Sequence, residues 1–108
     1  MADLSKAAEL RVEARSEHNG VAVVSVGGEL DVSNAETLEA VVAEVCEQQP
    51  DELVFDLREL SFMDSAGIAV LLGGARLVPN VRLRDPTPAV RRVVEVTGLT
   101  TVLQLGDA

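Results

Sequence analysis

The chain has 108 residues, of which 47% are hydrophobic, enough to fill the core of one domain but not of two. It contains no tryptophan or tyrosine and only two phenylalanines, so it lacks the aromatic platforms on which single-stranded nucleic acids stack. The formal net charge of −9 disfavours contact with phosphate backbones and favours a basic protein surface. We therefore expect no direct binding of nucleic acid.

The sequence shows no signal for a membrane or for an oxidising compartment. No apolar run approaches the ~18 residues of a membrane span, and Met1–Glu9 lacks the apolar centre of a signal peptide. The single cysteine, Cys46, excludes an internal disulfide and falls on the apolar side of a predicted helix, which indicates a buried structural thiol. We expect a cytoplasmic protein that does not insert into membranes.

The chain is expected to begin with a β-hairpin. Apolar and charged residues alternate over residues 10–15, which is the pattern of a half-buried strand. Asn19 and Gly20 then form a dipeptide that is strongly favoured in hairpin turns. The apolar residues 21–26 provide the returning strand.

Two helices and a buried strand are predicted in the middle of the chain. Ser33 and Glu36 fit a capping box at the start of the first helix, whose apolar positions recur at helical spacing over residues 35–46. The compact apolar run at 53–57 indicates an interior strand. Residues 66–77 are apolar on almost every side, so the second helix should be mostly buried.

The last third of the chain repeats the strand–helix alternation. Residues 81–84 alternate as a strand, Thr87 and Pro88 suit the start of a helix, and Gly98 suits its end. Residues 101–105 are predicted to form a last short strand or an extended segment. The order ββαβαβαβ predicts an α/β fold with a mixed sheet of about five strands and helices packed mainly on one face.

We expect one domain over residues 10–105. Residues 1–9 would form a flexible N-terminal segment, and residues 106–108 a C-terminal tail.

The motifs of common enzymes are missing. The only histidine, His18, falls in a predicted turn, and Ser65 lies in Asp-Ser-Ala-Gly rather than in the Gly-x-Ser-x-Gly of hydrolases. No phosphate-binding Gly-x-x-x-x-Gly-Lys loop occurs, and one cysteine with one histidine does not make a usual zinc site. Glu29, Asp31 and Asp64 could form a carboxylate cluster, although such clusters are more often charged surface. We expect no enzyme activity, no cofactor and no bound metal.

Ser65 is the most informative residue, because it follows an acidic residue where a strand and loop give way to an apolar helix. The first-turn N–H groups of a helix have no intrahelical acceptors and lie at the positive end of its dipole, so they accommodate a phosphate. A purely local role remains open, in which Ser65 is a capping or first-turn hydroxyl. Asp64 is the alternative cap.

Three segments together resemble the STAS domain, and more narrowly the bacterial anti-sigma factor antagonists. They are Gly-Glu-Leu-Asp at 28–31, Phe-Met-Asp-Ser-Ala-Gly-Ile at 62–68, and the segment at 86–99 that runs from Pro-Thr-Pro to Thr-Gly-Leu. The resemblance extends over nearly all of residues 10–105.

The resemblance implies a switch at Ser65. In the family, an anti-sigma factor that is a serine kinase with a histidine-kinase-like ATPase fold phosphorylates the serine that corresponds to Ser65. The unphosphorylated protein binds this kinase and releases the sigma factor, and a PP2C-type phosphatase restores that form. The resemblance places Asp31 and Asp64 at the contact surface, and we include Ser65, Ala66 and Gly67 in it.

Two other functions remain open at this stage. The same fold could serve as an accessory subunit of a transporter ATPase or of another regulatory complex, in which case Ser65 would be structural. An enzyme is the third possibility. The connection at Pro79 and Asn80 is shorter than is usual in the family, which could alter the surface that meets a partner.

Overall fold

The chain folds into a five-stranded mixed sheet with three helices. The computed structural model describes residues 9–98 and 104–106. In chain order the elements are β1 (Arg11–Glu17), β2 (Val21–Leu30), α1 (Ala35–Cys46), β3 (Glu52–Met63), α2 (Ser65–Leu77), β4 (Asn80–Arg84), α3 (Pro88–Val96) and β5 (Gln104–Gly106). The predicted order ββαβαβαβ is confirmed. Residues 1–8 and 107–108, which make up most of the two predicted terminal segments, lie outside the described residues, as do residues 101–103 of the last predicted strand.

The strands lie in the sheet in the same order as in the sequence. β1 and β2 form the predicted antiparallel hairpin, and its turn contains Asn19 and Gly20 with φ of 65° and 75°. Each later strand is parallel to its neighbour. The carboxyl ends of β2 and β3 therefore lie side by side, which places the residues that follow them at one edge of the sheet.

All three helices pack on one face of the sheet. Val24 lies opposite Phe55, which lies opposite Leu83, and all three are fully buried. The helices add to the same hydrophobic cluster Leu38 and Val42 from α1, Ile68, Val70 and Leu71 from α2, and Val90 and Val94 from α3. The expectation of helices on one face is confirmed. Cys46 is half-buried against this core, and burial raises the pKa of its thiol.

The opposite face of the sheet, called here the charged face, carries paired arginines and acids. Its ion pairs include Arg15–Glu17 at 3.4 Å, Arg84–Glu17 at 3.5 Å, Arg82–Glu52 at 3.3 Å and Arg58–Asp56 at 3.1 Å. The two faces thus differ in chemistry, one closed by helices and the other polar.

β3 runs from Glu52 to Met63 and is much longer than the predicted strand at 53–57. Two irregularities interrupt the alternation of its side chains, so the second half of the strand was not recognised in the sequence. Ser25 lies opposite Asp56 but Gly27 lies opposite Glu59, so β3 has one extra residue there, and a second shift follows after Gly28. These shifts bring Met63 opposite Leu30 at the end of the strand pair. The register at this end determines how the two following loops meet.

Candidate functional site

The loops after β2 and β3 are joined through Asp64. Its carboxylate Oδ1 accepts hydrogen bonds from the N–H of Ala66 at 2.8 Å and of Gly67 at 3.3 Å, while its Oδ2 accepts one from the N–H of Val32 at 3.3 Å. The N–H of Asp64 donates to the carbonyl of Leu30 at 3.2 Å. Asp64 is therefore the N-cap of α2, and it also holds the β2–α1 connection against the start of that helix.

Ser65 is the first residue of α2, and its side chain is exposed. Its hydroxyl makes no hydrogen bond within the part of the chain that the structure describes. Because the N–H groups of Ala66 and Gly67 are already bonded to Asp64, a phosphate on Ser65 would have to displace that carboxylate to reach them. These two N–H groups are therefore not free to bind a group added to the exposed Ser65 hydroxyl.

Asp31 organises the turn that leads into α1. It accepts hydrogen bonds from the N–H of Ser33 at 2.9 Å and from the Ser33 hydroxyl, and its own N–H donates to Asn34 Oδ1 at 2.9 Å. The predicted capping box of Ser33 and Glu36 is wrong, because Asn34 is the N-cap residue and the Ser33 hydroxyl is bonded to Asp31. The hydroxyl and then the N–H of Ser33 hold the pKa of Asp31 below its ordinary value.

Replacing Ser33 with alanine is expected to raise the pKa of Asp31, since the hydroxyl is the main cause of its depression. The depressed pKa of Asp31 stabilises the folded state at pH values above about 3.9, which is the pKa of an unfolded aspartate. This stabilisation is lost as the pH falls through the pKa that Asp31 has in the folded state. Ser33→Ala should therefore reduce the stabilisation that the ionised Asp31 gives to the folded state. An NMR titration of the Asp31 carboxyl carbon measures the change.

Ser61→Ala is the matched control, because the Ser61 hydroxyl donates to the carbonyl of Gly28 rather than to a carboxylate. In the Ser61→Ala protein, the pKa of Asp31 should be the same as in the wild type. An unchanged Asp31 pKa in Ser33→Ala would contradict the assignment of the hydrogen bond.

Two exposed apolar side chains accompany these acids, and the sequence analysis missed both. Val32 is 79% exposed in the β2–α1 connection, and Phe62 is 46% exposed one residue before the end of β3. Val32 stands between Asp31 and Ser33, so an apolar residue inside a polar turn is the signal that points to it. We call the following set the Ser65 surface: Asp31, Val32, Asp64, Ser65 and Ala66. Phe62 is left out, because its neighbour Met63 is buried on the helix side, so Phe62 faces the charged face of the sheet.

Gly67 lies beneath this surface rather than in it. It is buried, and a Cβ at this position would lie 2.5 Å from Met63 Cγ and 2.8 Å from Leu30 Cδ2. The glycine lets α2 approach the ends of β2 and β3 closely. Its contribution to the site is to position Asp64 and Ser65.

Gly67→Ala is expected to lower the free energy of unfolding by about 1–3 kcal/mol, because the added methyl overpacks the core. Gly73→Ala is the matched control in the same helix, since a Cβ there meets nothing within 4 Å. The control should gain about 0.5–1 kcal/mol from its higher helix propensity. Urea unfolding compares the two, and equal stability would contradict the close packing.

The remaining candidates lie elsewhere or are already engaged. His18 lies in the turn at the start of β2, and the ten residues of that strand, about 33 Å long, separate it from Asp31. Thr87 is the N-cap residue of α3, as predicted, but its hydroxyl donates to the carbonyl of Leu60 at 2.8 Å. Within residues 9–98, no group of three or more potential metal ligands comes together. None of the described helices is both long and apolar enough to cross a membrane.

Comparison with known proteins gives consistent matches. A family model of the STAS domain matches residues 14–107. The anti-sigma-F factor antagonist RsfB of Mycobacterium tuberculosis is 45% identical over 56 residues, which is 52% of this chain and 46% of RsfB, so the chain matches about half the length of that relative. The crystal structure of an anti-sigma factor antagonist from Mycobacterium paratuberculosis is 30% identical, with a TM-score of 0.84 over 93% of this chain and 87% of that one. The anti-sigma factor antagonist SpoIIAA in its unphosphorylated form is 25% identical, with a TM-score of 0.76 over 90% of each chain.

Proposed function

Because the chain belongs to the STAS domain family and, within it, to the anti-sigma factor antagonists, we propose that it binds an anti-sigma factor through the Ser65 surface and so frees a sigma factor. In this proposal phosphorylation of Ser65 ends the binding. The chain acts as a regulatory binding protein and not as an enzyme. The observation that carries the proposal is an exposed serine whose hydroxyl makes no hydrogen bond among the described residues, next to the carboxylate of Asp64, which bonds the backbone of the exposed Val32.

The position of Ser65 supports its role as the phosphate acceptor. A structural hydroxyl at a helix start bonds to the first-turn N–H groups, but here Asp64 takes them. Ser65 Oγ is therefore available to attack the γ-phosphorus of ATP held by the kinase. The new Oγ–P bond replaces the bond to the β-phosphate oxygen, ADP leaves, and a base of the kinase takes the hydroxyl proton.

The partner is an anti-sigma factor with a histidine-kinase-like ATPase fold that acts as the serine kinase. Its contact surface should be basic with an apolar centre, to match the carboxylates of Asp31 and Asp64 and the exposed Val32. A PP2C-type phosphatase hydrolyses the phosphoserine and restores the binding form.

The switch follows from charge and position. A phosphoserine adds about −1.5 to −2 charge at neutral pH, and here it stands beside Asp64 on a chain of net charge −9. Since the Ser65 side chain is exposed, a phosphate on it blocks the partner without unfolding the domain. Each 1.4 kcal/mol of such repulsion or steric exclusion lowers the affinity about tenfold.

The alternative of an accessory subunit of a transporter ATPase is less well supported. It requires a structural role for Ser65, whereas the Ser65 hydroxyl makes no hydrogen bond among the described residues. The relatives named above are anti-sigma factor antagonists.

The proposal is tested with a purified complex of sigma factor and ATPase-type anti-sigma factor from the same organism. Adding the unphosphorylated chain should release the sigma factor, which size-exclusion chromatography separates from the new complex. The same chain phosphorylated beforehand should leave the sigma complex intact. If the unphosphorylated chain bound none of the organism's ATPase-type anti-sigma factors, the proposed function would be wrong.

A further inference from the structure

Among the strands that the structure describes, none pairs with the outer edge of β1. β1 is the first strand of the sheet, and it pairs on one side with β2. Six of its seven residues are exposed. The edge therefore offers unpaired backbone N–H and C=O groups, which are a template for another strand.

The charges along this edge alternate in sign. Arg11, Glu13, Arg15 and Glu17 occupy every second position, so all four side chains lie on the charged face of the sheet. The residues between them are Val12, Ala14 and Ser16, which lie on the face covered by the helices. The small Ala14 stands at the centre of the strand.

We propose that β1 pairs antiparallel with β1 of a second copy of this chain, about a two-fold axis at Ala14, and so joins two sheets into one of ten strands. In this register Arg11 lies opposite the second copy's Glu17, and Glu13 lies opposite its Arg15. With the symmetry-related contacts, four pairs of opposite charge form and no pair of like charge. Opposite-charge pairs across an antiparallel ladder are stabilising, and like-charge pairs are destabilising.

The neighbouring registers are less favourable. With the axis at Val12 or Ser16, charges of opposite sign still meet, but only three residues of each β1 are paired. Moving the two-fold axis to Glu13 places that glutamate opposite itself and Arg11 opposite Arg15. With the axis at Arg15, Arg15 lies opposite the Arg15 of the second copy, and Glu13 lies opposite its Glu17. A parallel in-register pairing places every charge opposite its own copy. The strand thus specifies one partner geometry over its full seven residues.

Within one chain Glu17 pairs with Arg15 at 3.4 Å and with Arg84 at 3.5 Å, and these pairs compete with contacts to the second copy. The contacts of Arg11 and Glu13 are weaker competitors. Arg11 and Glu59 are 3.7 Å apart, with side chains 62% and 71% exposed, and such pairs contribute little. Glu13 has no ion-pair partner among the described residues. A groove of about 290 Å³ runs beside β1 on the helix side, where Ala14, Val45 and Pro50 contribute to its lining. Because the two-fold axis keeps both sets of helices on the same side, the α1 helices of the two copies would face each other across this groove.

The contact is small. A single strand pair buries much less than the ~1,600 Å² of a standard interface, so association should be reversible and dependent on concentration. The inference does not rest on the proposed function, because β1 carries none of the residues of the Ser65 surface.

The test is sedimentation equilibrium of the full chain over a wide range of concentration. The average mass should rise from monomer toward dimer for the wild type. Glu13→Arg should raise the dissociation constant about tenfold or more, since it turns two attractive pairs into repulsive ones. Glu95→Arg is the matched control, with the same change of charge on α3, which packs against β3. It should dimerise like the wild type.

A mixture of two variants makes the test specific. Glu13→Arg and Arg15→Glu should each be monomeric, but mixed together they restore opposite charges at positions 13 and 15 and should form a heterodimer. Circular dichroism checks that each variant is folded. If Arg15→Glu does not fold, the comparison of Glu13→Arg with Glu95→Arg decides. A wild type that stays monomeric at about 1 mM, or a Glu13→Arg protein that dimerises normally, would overturn the inference.

Discussion

Ser65→Ala is expected to abolish phosphate transfer from the cognate kinase and to leave the protein bound to its partner in the presence of ATP. The wild type should take up one phosphate per chain and dissociate. Because the Ser65 hydroxyl makes no hydrogen bond among the described residues, the free energy of unfolding should change by less than about 0.5 kcal/mol. Intact-protein mass spectrometry and a binding assay with ATP measure both effects.

Thr87→Ala is the control for this experiment, because Thr87 also lies at a helix start but its hydroxyl is bonded to the carbonyl of Leu60. It should be phosphorylated and released like the wild type. Phosphate uptake by Ser65→Ala equal to that of the wild type would move the acceptor site elsewhere. Unfolding of Ser65→Ala would show that the serine is structural.

The second large effect is expected from Val32→Asp. Val32 lies beside Asp31 and its backbone is bonded to Asp64, so a carboxylate at this position removes an apolar contact and adds charge where the phosphate acts. Partner affinity should fall at least tenfold, or by about 1.4 kcal/mol or more, as at a residue near the centre of an interface. Titration calorimetry with the anti-sigma factor measures the loss.

Val96→Asp is matched to this change, since Val96 on α3 is 77% exposed and Val32 is 79% exposed. The control should bind within about twofold of the wild type, as expected for a residue outside the interface. If both variants lost the same amount of affinity, the effect would be a general one of charge. If both kept the affinity of the wild type, Val32 would not belong to the contact surface.

Local signals in the sequence predicted much of the fold. The Asn19–Gly20 turn adopts the positive φ that its residues favour, and Gly98 ends α3 with φ of 74°. The apolar run of α2 and the Thr87–Pro88 start of α3 also lie where they were predicted. These features depend on a few neighbouring residues, so one sequence is enough to find them.

The features that were missed depend on contacts between distant segments. Asp64 joins two loops that are more than thirty residues apart in sequence. The Ser33 hydroxyl donates its hydrogen bond to Asp31 and does not cap the helix that follows. The extra residues in β3 break the alternation by which its length would have been recognised. Val32 and Phe62 are apolar residues whose exposure depends on the final packing. The motif indicated the candidate site, but the exposed apolar residue beside it was found only in the structure.

The most direct test of the central claim compares the affinity of one anti-sigma factor for the unphosphorylated and the Ser65-phosphorylated chain by titration calorimetry. The unphosphorylated form should bind, and one phosphate on Ser65 should weaken binding by at least a hundredfold, or about 2.8 kcal/mol. Circular dichroism of the two forms should be the same, since the Ser65 side chain is exposed at the start of α2. Equal affinity of the two forms would contradict a switch at Ser65.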